Sequence, residues 1–176
     1  MQIEHHRAHL TYCSNIHPGE SWDETFQNLK THTTQVRKGL TEEPFGIGLR
    51  LSHLASLELI KESKLSNFQE WLRKENMYVF TINGFPYGDF HHQNVKDAVH
   101  QPDWRSSDRL MYTKRLFLIL SELLPDGIDG GVSTSPISYR HWHRTEEELN
   151  DTKIIACEHF TELICFLKEL KDKTGK

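Results

Sequence analysis

The chain has 176 residues, with 36% hydrophobic and 26% charged residues and a formal net charge of -4 at pH 7. This size and composition are typical of one globular domain with a hydrophobic core. The charge and the absence of a basic patch exclude general nucleic-acid binding. No apolar run approaches the ~18–20 residues of a membrane span, and the start MQIEHHRAHL lacks a signal-peptide core. We therefore expect a cytoplasmic protein in which Cys13, Cys157 and Cys165 are buried small apolar residues, rather than disulfide or zinc-site residues.

The first predicted unit is a short strand followed by a long amphipathic helix. Residues 10–16 favour a strand, which ends at the turn sequence HPG. Ser21 and Glu24 have the spacing of a capping box, so a helix is predicted to begin there. Its apolar residues step by three or four positions and share one face: Trp22, Phe26, Leu29, Thr33, Val36 and Leu40.

The second unit places an arginine in a glycine-rich strand. Over residues 45–51, apolar residues alternate with Gly46, Gly48 and Arg50, which is strand periodicity. A buried guanidinium on the glycine face needs an anionic partner, either a substrate carboxylate or phosphate or an acidic residue of the protein. Two helical stretches follow, with the apolar residues Leu54, Leu57 and Ile60, then Phe68, Trp71 and Leu72.

The third unit, residues 77–105, holds the densest polar chemistry. Strand formers at 77–82 run into the turns NG and FPYG and then into a long polar loop, the arrangement in which α/β proteins build sites. Asn83 is placed to bind a hydroxyl group or to form a turn without a ligand. Phe85 and Tyr87 are placed to stack on a sugar ring or to pack beneath the loop.

Histidine is unusually frequent, with 12 residues. His5, His6 and His9 are interpreted as surface residues of an irregular start. Consecutive side chains point in different directions, so at most one of His91 and His92 faces a site. We favour His91, either as a metal ligand or acid–base group or as a structural loop histidine.

The remaining sequence predicts two more helices around a weak strand. A helix with two apolar rows begins at Ser106 or Ser107, after the sequence DWR, which we expect to anchor the loop by a salt bridge and aromatic burial. The weak strand lies at 130–135, and the loop after it is partly aromatic and basic. Thr145 and Glu148 form a second capping box, which begins the last helix.

The whole pattern is βαβαβαβα, which predicts a parallel sheet with right-handed crossovers. The carboxyl ends of parallel strands form one rim, where polar residues concentrate. The predicted rim residues are Asn15, His17, Arg50, His53, Asn83, Tyr87, His91, His92, Ser135, Tyr139, Arg140, His141 and Trp142.

Three segments resemble the N-terminal half of EboE-type metabolite-traffic proteins, which belong to the xylose-isomerase-like TIM barrels. The segments are TYCSNIHPGESW, PFGIGLRLS and YVFTINGFPYGDFHHQNVKDAVHQPDWR, within about residues 9–140. The string NGFPYGxFH is the specific part of this resemblance.

The resemblance implies that residues 1–176 form a single, incomplete TIM-barrel domain, the N-terminal four βα units of a (β/α)8 barrel. A full barrel needs ~250 residues. In the wider superfamily a divalent metal ion is held mainly by Glu, Asp and His from later strands. We therefore expect the metal ligands to lie mainly outside this chain and the isolated chain to be inactive. Unpaired barrel edges also predict self-association.

The candidate site combines one catalytic and six substrate-binding residues. His91 is the catalytic candidate, and the substrate-binding candidates are His17, Arg50, Asn83, Tyr87, His92 and Arg140. For His17, a loop or capping role remains an equal alternative.

Three functions for a small-molecule metabolite follow as expectations. The first is a metal-dependent sugar or sugar-phosphate isomerase or epimerase, of which this chain supplies the substrate-binding half. The second is a non-catalytic binding or carrier protein in metabolite export. The third is a metal-dependent phosphodiesterase on the same barrel, which the lack of a basic groove disfavours.

Overall fold

A computed structural model describes residues 2–3, 8–61, 63–88 and 97–176, and shows a short hairpin followed by a parallel sheet. In the hairpin, β1 (Gln2–Ile3) pairs antiparallel with β2 (Ala8–His9). The sheet contains four parallel strands: β3 (Thr11–Cys13), β4 (Phe45–Arg50), β5 (Met77–Asn83) and β6 (Gly131–Ser133). Their spatial order, β3-β4-β5-β6, is also their order along the chain. The predicted α/β class with a four-stranded parallel sheet is confirmed, and this arrangement is consistent with part of an α/β barrel.

Helices connect each strand to the next. After β3 come α1 (Trp22–Asn28), a π-helical segment (Leu29–Thr33) and α2 (Thr34–Leu40). After β4 come α3 (His53–Leu59) and α4 (Lys64–Lys74), after β5 comes α5 (Ser107–Leu123), and after β6 comes α6 (Glu146–Thr174). Both predicted capping boxes are present, one at each of α1 and α6. None of the described helices is long and apolar enough to cross a membrane.

The main core lies between one face of the sheet and the helices. Its strand residues are fully or almost fully buried: Phe45, Ile47, Leu49, Met77, Val79 and Ile82. The helices contribute Trp22, Leu29, Phe68, Tyr112 and Leu116, among others, to the same cluster. Burying one such side chain stabilises the fold by about 1.5–3 kcal/mol, so this layer is the main source of stability.

The pairing of β4 with β5 contains a register shift, which sets the residues at the carboxyl end of β5 opposite those of β4. Ile47 pairs with Val79, but its neighbour Gly48 pairs with Thr81, so β5 contains one extra residue at this point. Such an irregularity changes the alternation of side chains along the strand. Val79 and Ile82 are therefore both buried in the core, and Asn83 pairs with Arg50 at the carboxyl end.

The other face of the sheet is only partly covered in the described structure. A Cβ atom on Gly46 would lie 3.1 Å from Cε1 of Phe80 and 3.4 Å from Cζ of Tyr78, so the glycine leaves room for both rings. These rings are half-buried, and Cys13 of β3 is exposed. The glycine face of β4 is therefore in close contact with side chains of β5.

A second, smaller core joins α6 to α5. Trp104, Leu110, Ala156 and Leu163 are buried together. The Trp104 indole donates to Ser135 O at 3.3 Å, and its ring lies 4.2 Å from the Phe160 ring. Asp103 forms an ion pair with Arg105 at 3.1 Å. The buried Trp104 ring therefore anchors the loop, as predicted, whereas the salt bridge lies within the sequence DWR and Asp103 reaches the loop after β6 through a hydrogen bond from Ser138.

The predicted apolar face of the first helix is wrong at its end. Leu29 and Thr33 are buried, but Leu40 is 62% exposed. Val36, four residues before Leu40 in α2, still packs against the core. The predicted face is therefore covered as far as Val36 and is not continued by Leu40, the last residue of the helix.

Two other expectations from the sequence are corrected. All three cysteines are exposed, because Cys13 lies on the uncovered sheet face and Cys157 and Cys165 lie on the outer side of α6. In α3 the core residues are Ala55 and Leu59, while Leu54 and Ile60 are largely exposed. The buried side of α3 therefore consists of Ala55, Ser56 and Leu59 rather than the predicted residues.

His9 is also not a free surface residue. Its Nδ1 lies 2.7 Å from the Tyr78 hydroxyl, and its ring lies 4.5 Å from the Phe80 ring. The hairpin therefore contacts the partly covered sheet face. The other two histidines of this group, His5 and His6, lie outside the described residues.

Candidate functional site

Arg50 lies at the carboxyl end of β4 and is only 4% exposed. Its Nη1 donates to Gly19 O at 2.8 Å, and its Nη2 donates to Glu20 Oε1 at 2.8 Å and to Gly88 O at 3.3 Å. The two alternatives left by the sequence were a ligand anion and an acidic residue, and the structure contains the acidic residue. Arg50 thereby ties the loops after β3 and β5 to the end of β4.

Asn83 lies beside Arg50 at the end of β5. Its Oδ1 accepts from Phe85 N at 3.0 Å and from the Ser133 hydroxyl at 2.9 Å. The first contact is the predicted turn, and the second joins β5 to β6. Arg50, Asn83 and Ser133 thus occupy one row across three strands.

Tyr87 packs into an aromatic and cationic group above the same strand ends. Its ring stacks on His53, with centroids 4.3 Å apart, and contacts the Tyr112 ring edge-on at 5.0 Å. The Tyr112 hydroxyl donates to Leu51 O, which holds the end of β4 against α5. Burial raises the pKa of Tyr87 and of Tyr112, so both phenols are neutral at physiological pH.

His53 connects this group to a second arginine. Its Nδ1 lies 3.4 Å from Nη1 of Arg115, which also donates to the Ser56 hydroxyl at 3.2 Å. Burial lowers the pKa of His53, and the charge of Arg115 lowers it further, while Asp108 opposes the shift. The neutral form of His53 is therefore favoured near neutral pH.

Arg109 is a completely buried cation that the sequence did not reveal. Its Nε donates to Pro102 O at 2.8 Å and its Nη1 donates to Gly84 O at 2.9 Å. Its Nη2 has no hydrogen-bond partner among the described residues. The guanidinium carbon lies 5.6 Å from the Tyr112 ring and 5.7 Å from the Tyr87 ring. Burial lowers the Arg109 pKa, and the two tyrosines and Asp103 oppose the shift.

His17 lies at the same end of the sheet, but its contacts face the first helix. Its Nε2 lies 2.7 Å from the Tyr12 hydroxyl, and its ring stacks on His32 with centroids 4.2 Å apart. Burial lowers the pKa of His17, and His32 lowers it further. These contacts support the loop alternative for His17 more directly than substrate contact.

Arg140 lies away from this row, on the loop before α6. It donates to Glu146 Oε1 at 3.1 Å and to His143 O at 3.3 Å, and its side chain is largely exposed. Its partners belong to the loop before α6 and the first turn of α6. The structure therefore gives Arg140 a local role and does not bring it together with Arg50 and Asn83.

Four rings form an aromatic group where the loops after β5 and β6 meet. His100 stacks on Tyr139 at 5.1 Å and on Phe85 at 5.7 Å, and it contacts Trp142 edge-on at 6.4 Å. All four rings are half-buried, so they present part of their surface to solvent. The loop after β6, predicted to be partly aromatic, supplies two of them.

Asp103, Ser138 and His143 have the composition of a catalytic triad but not its order. The Ser138 hydroxyl donates to Asp103 Oδ2 at 2.5 Å, while His143 Nε2 lies 3.0 Å from Ser138 Oγ. A nucleophilic serine must give its proton to the histidine, with the aspartate behind that histidine. Here the serine proton is held by the aspartate, so this network joins two loops.

His91, the catalytic candidate, and His92 lie outside the described residues, as does the rest of the polar loop 89–96. Among the residues that are described, no three His, Cys, Asp or Glu side chains converge as a metal site requires. Those residues therefore do not by themselves fit the divalent metal that the resemblance implies.

The sequence did not identify Glu20, Tyr112 or Arg109 as part of the site. Glu20 follows a turn glycine and Tyr112 belongs to an apolar helix row, so neither pattern indicates a polar partner. Arg109 stands in the first turn of a helix, where charged residues are usually exposed. The one available signal was Arg50, whose predicted burial required an anionic partner, either a ligand or an acidic residue of the protein.

The chain matches no protein-family profile, no curated protein and no solved structure.

Proposed function

We propose that this chain is the N-terminal half of a xylose-isomerase-like TIM barrel and that its strand ends bind a small hydroxylated metabolite. The observation that carries the proposal is the row formed by Arg50, Asn83 and Ser133 across three adjacent strands, with Tyr87 packed above it. In parallel α/β proteins, ligands bind at the carboxyl ends of the strands.

The chemistry of this row suits hydroxyl groups. An amide and a hydroxyl both donate and accept hydrogen bonds, and a tyrosine ring offers an apolar face to a sugar ring. The buried guanidinium of Arg109, whose described hydrogen-bond partners are the carbonyls of Pro102 and Gly84, adds positive potential near the row. This potential favours a metabolite that also carries a carboxylate or phosphate.

Isomerase or epimerase activity is a further part of the proposal. It rests on the resemblance to xylose-isomerase-like barrels, and the described residues supply binding groups for it. His91 remains the proposed acid–base residue. Any metal ligands would come mainly from strands outside this chain, so we assign no metal-dependent step to the residues described above.

Ligand-observed NMR with a panel of monosaccharides and monosaccharide phosphates tests the binding proposal. Tyr87→Leu removes the ring face that would stack on a sugar ring, and should weaken binding of a hit by about five- to tenfold. Tyr78→Leu makes the same change at the opposite end of β5 and should leave the affinity unchanged. Equal effects of both variants, or no hit in the panel, would refute binding at the strand ends.

The aromatic group favours a second candidate, a non-catalytic carrier of a planar apolar metabolite. Tyr139 and Trp142 are half-buried and offer ring faces and edges next to the polar row. Quenching of tryptophan fluorescence by aromatic or terpenoid compounds should then be lost in Trp142→Leu and kept in Trp71→Leu. Proton NMR of the recovered ligand separates the candidates, because an isomerase or epimerase would change its structure without changing its mass, whereas a carrier returns it unchanged.

A further inference from the structure

Two arginines of α5 lie near the strand ends without an acidic partner in the described structure. Arg50, at the end of β4, forms an ion pair with Glu20. Arg109 and Arg115 take part in none of the ion pairs among the described residues. A guanidinium that is partly removed from water is stabilised by a negative charge beside it. This end of the sheet therefore carries positive charge that the described residues leave unneutralised.

Arg115 is the accessible member of this pair. It is half-buried, whereas Arg109 is completely buried. Nη1 of Arg115 donates to Ser56 Oγ at 3.2 Å and lies 3.4 Å from Nδ1 of His53. No described residue accepts a hydrogen bond from its Nε or Nη2. One nitrogen thus fixes the guanidinium against α3, and the other two can donate to a ligand.

His53 supplies a second donor at the same place. A guanidinium only donates hydrogen bonds, so Nδ1 of His53 accepts from Arg115. Burial and the charge of Arg115 lower the pKa of His53, against the effect of Asp108, and this favours the neutral ring. The neutral ring then carries its proton on Nε2, and no described residue accepts from this nitrogen.

Tyr87 joins these two donors to the row at the strand ends. Its ring stacks on the His53 ring with centroids 4.3 Å apart, and its carbonyl accepts from His53 N at 2.8 Å. The same ring packs above the row that we propose to bind a metabolite. Arg115 and His53 therefore lie beside the proposed metabolite site, separated from it by one aromatic ring.

Asp108 is an acidic residue that acts on this group. Its charge opposes the lowering of the His53 pKa and adds to the raising of the Tyr87 pKa by burial. It forms no ion pair with Arg115. Arg109 adds a second positive charge, since its guanidinium carbon lies 5.7 Å from the Tyr87 ring. Two guanidinium charges against one carboxylate leave the group with a net positive charge.

A phosphate group suits this arrangement better than a carboxylate does. The three terminal oxygens of a phosphate monoester can accept from the Arg115 fork and from His53 Nε2 at the same time. A carboxylate has two oxygens in one plane and a single negative charge, and one guanidinium already satisfies it.

We propose that Arg115 and His53 bind the phosphate group of a phosphorylated metabolite. The remainder of that metabolite would bind at the row of Arg50, Asn83 and Ser133, so the inference rests on the proposed function and names its substrate class. The phosphate contact itself requires no sugar ring, so it can be measured separately.

Titration of the isotope-labelled chain with inorganic phosphate, followed by NMR at about pH 8, tests this contact. Sodium chloride holds the ionic strength constant, because salt screens exposed charges. Phosphate should shift the side-chain signals of Arg115 and His53, with a dissociation constant on the order of millimolar. Acetate, which carries the carboxylate chemistry alone, should bind at least about tenfold more weakly.

Substitutions should change the phosphate affinity in opposite directions. Arg115→Gln should weaken binding by about tenfold or more, because it removes the charge and the fork. Arg115→Lys keeps the charge and should weaken binding by only about threefold. Asp108→Asn removes a negative charge and should strengthen binding by about two- to threefold. Arg73→Gln makes the matched change on an exposed residue of α4 and should leave the affinity unchanged. Circular dichroism should show that every variant is folded.

Equal phosphate affinity in Arg115→Gln and the unmodified chain would overturn the proposal, as would acetate binding as tightly as phosphate. No phosphate binding by the unmodified chain would also overturn it, including the case in which a residue outside the described structure neutralises Arg115. A free monosaccharide that binds although phosphate does not would leave the proposed function in place. Phosphate binding without tighter binding of any monosaccharide phosphate would refute the proposed function and leave the phosphate contact standing.

Discussion

Glu20 Oε1 lies 2.8 Å from Nη2 of Arg50, and the two side chains differ greatly in exposure. The Arg50 side chain is 3% exposed, whereas the Glu20 side chain is 26% exposed. Glu20 can therefore exchange its partner for water, while Arg50 cannot. The ion pair fixes the loop after β3 over the end of β4, which determines the shape of the proposed binding surface.

Removal of Glu20 should consequently destabilise the fold strongly. Glu20→Ala removes the acidic partner of a buried guanidinium, and we expect the free energy of unfolding to fall by about 3 kcal/mol. Urea denaturation followed by circular dichroism measures it. Asp23→Ala breaks the exposed ion pair with Lys64 and should lower the free energy of unfolding by about 1 kcal/mol or less. Equal costs for both variants would show that Arg50 is not held by Glu20.

Stability should decrease in mild acid. Burial lowers the pKa of His17 and of His53 below the ordinary value of 6.5, with further lowering by His32 and Arg115 respectively. Below pH 6.5 the unfolded chain binds more protons at these positions than the folded chain. The contribution of each histidine is therefore complete above that pH and is lost as the pH falls toward the folded-state pKa.

Urea denaturation at several values between about pH 8 and about pH 5 measures this dependence. His17→Gln combined with His53→Gln should flatten the slope. His141→Gln, on an exposed side chain, should leave the slope unchanged. A free energy of unfolding that rises below about pH 6.5 would contradict the assignment.

Gly84 should tolerate no side chain. A Cβ atom there would lie 2.6 Å from Leu116 Cδ1 and 2.8 Å from Ser133 O. Gly84→Ala must therefore push α5 or β6 away from the end of β5, at a cost of about 1–3 kcal/mol. Thermal unfolding detects the change. Gly39→Ala has no atom within 4 Å of its Cβ and should stabilise the helix by about 0.5–1 kcal/mol. Destabilisation by both variants would point to a general effect of alanine.

Trp104 should control the attachment of α6. Its fully buried indole packs on Phe160, and its carbonyl lies 2.7 Å from His159 Nδ1, so two contacts join it to α6. Trp104→Ala should lower the free energy of unfolding by about 3–5 kcal/mol. It should also accelerate amide hydrogen exchange in α6 more than in the sheet. Trp71→Ala, on α4, should leave α6 exchange unchanged relative to the sheet. If Trp104→Ala accelerated hydrogen exchange equally in α6 and in the sheet, α6 would unfold only together with the whole domain.

The sequence allowed the strand and helix order to be predicted because the periodic signals are strong. The alternation around Gly46 and Gly48 placed Arg50 on the close-packed face, and the strand end at Asn83 is observed. The hairpin was missed because its strands contain two residues each, too few for a pattern. The exposure of Cys157 and Cys165 was missed because cysteine type alone does not reveal which side of a helix is covered.

The candidate site was only partly predictable. Position at a strand end identifies Arg50 and Asn83, since parallel strands direct their carboxyl ends to one rim. The same argument included Arg140, whose partners are local, and it could not find Arg109. That residue reaches the strand ends from a helix packed on the sheet, a contact set by three-dimensional packing and not by chain position.

The π segment Leu29–Thr33 has a consequence for chain length. It holds one residue more than a regular helix would need, so it acts as an insertion absorbed within a helix. Deletion of one residue between positions 29 and 33 would restore a regular helix and rotate α2 relative to α1 by about 100°. Chains that differ by one residue at this place can therefore share the same sheet, and an alignment gap belongs there rather than in the flanking turns.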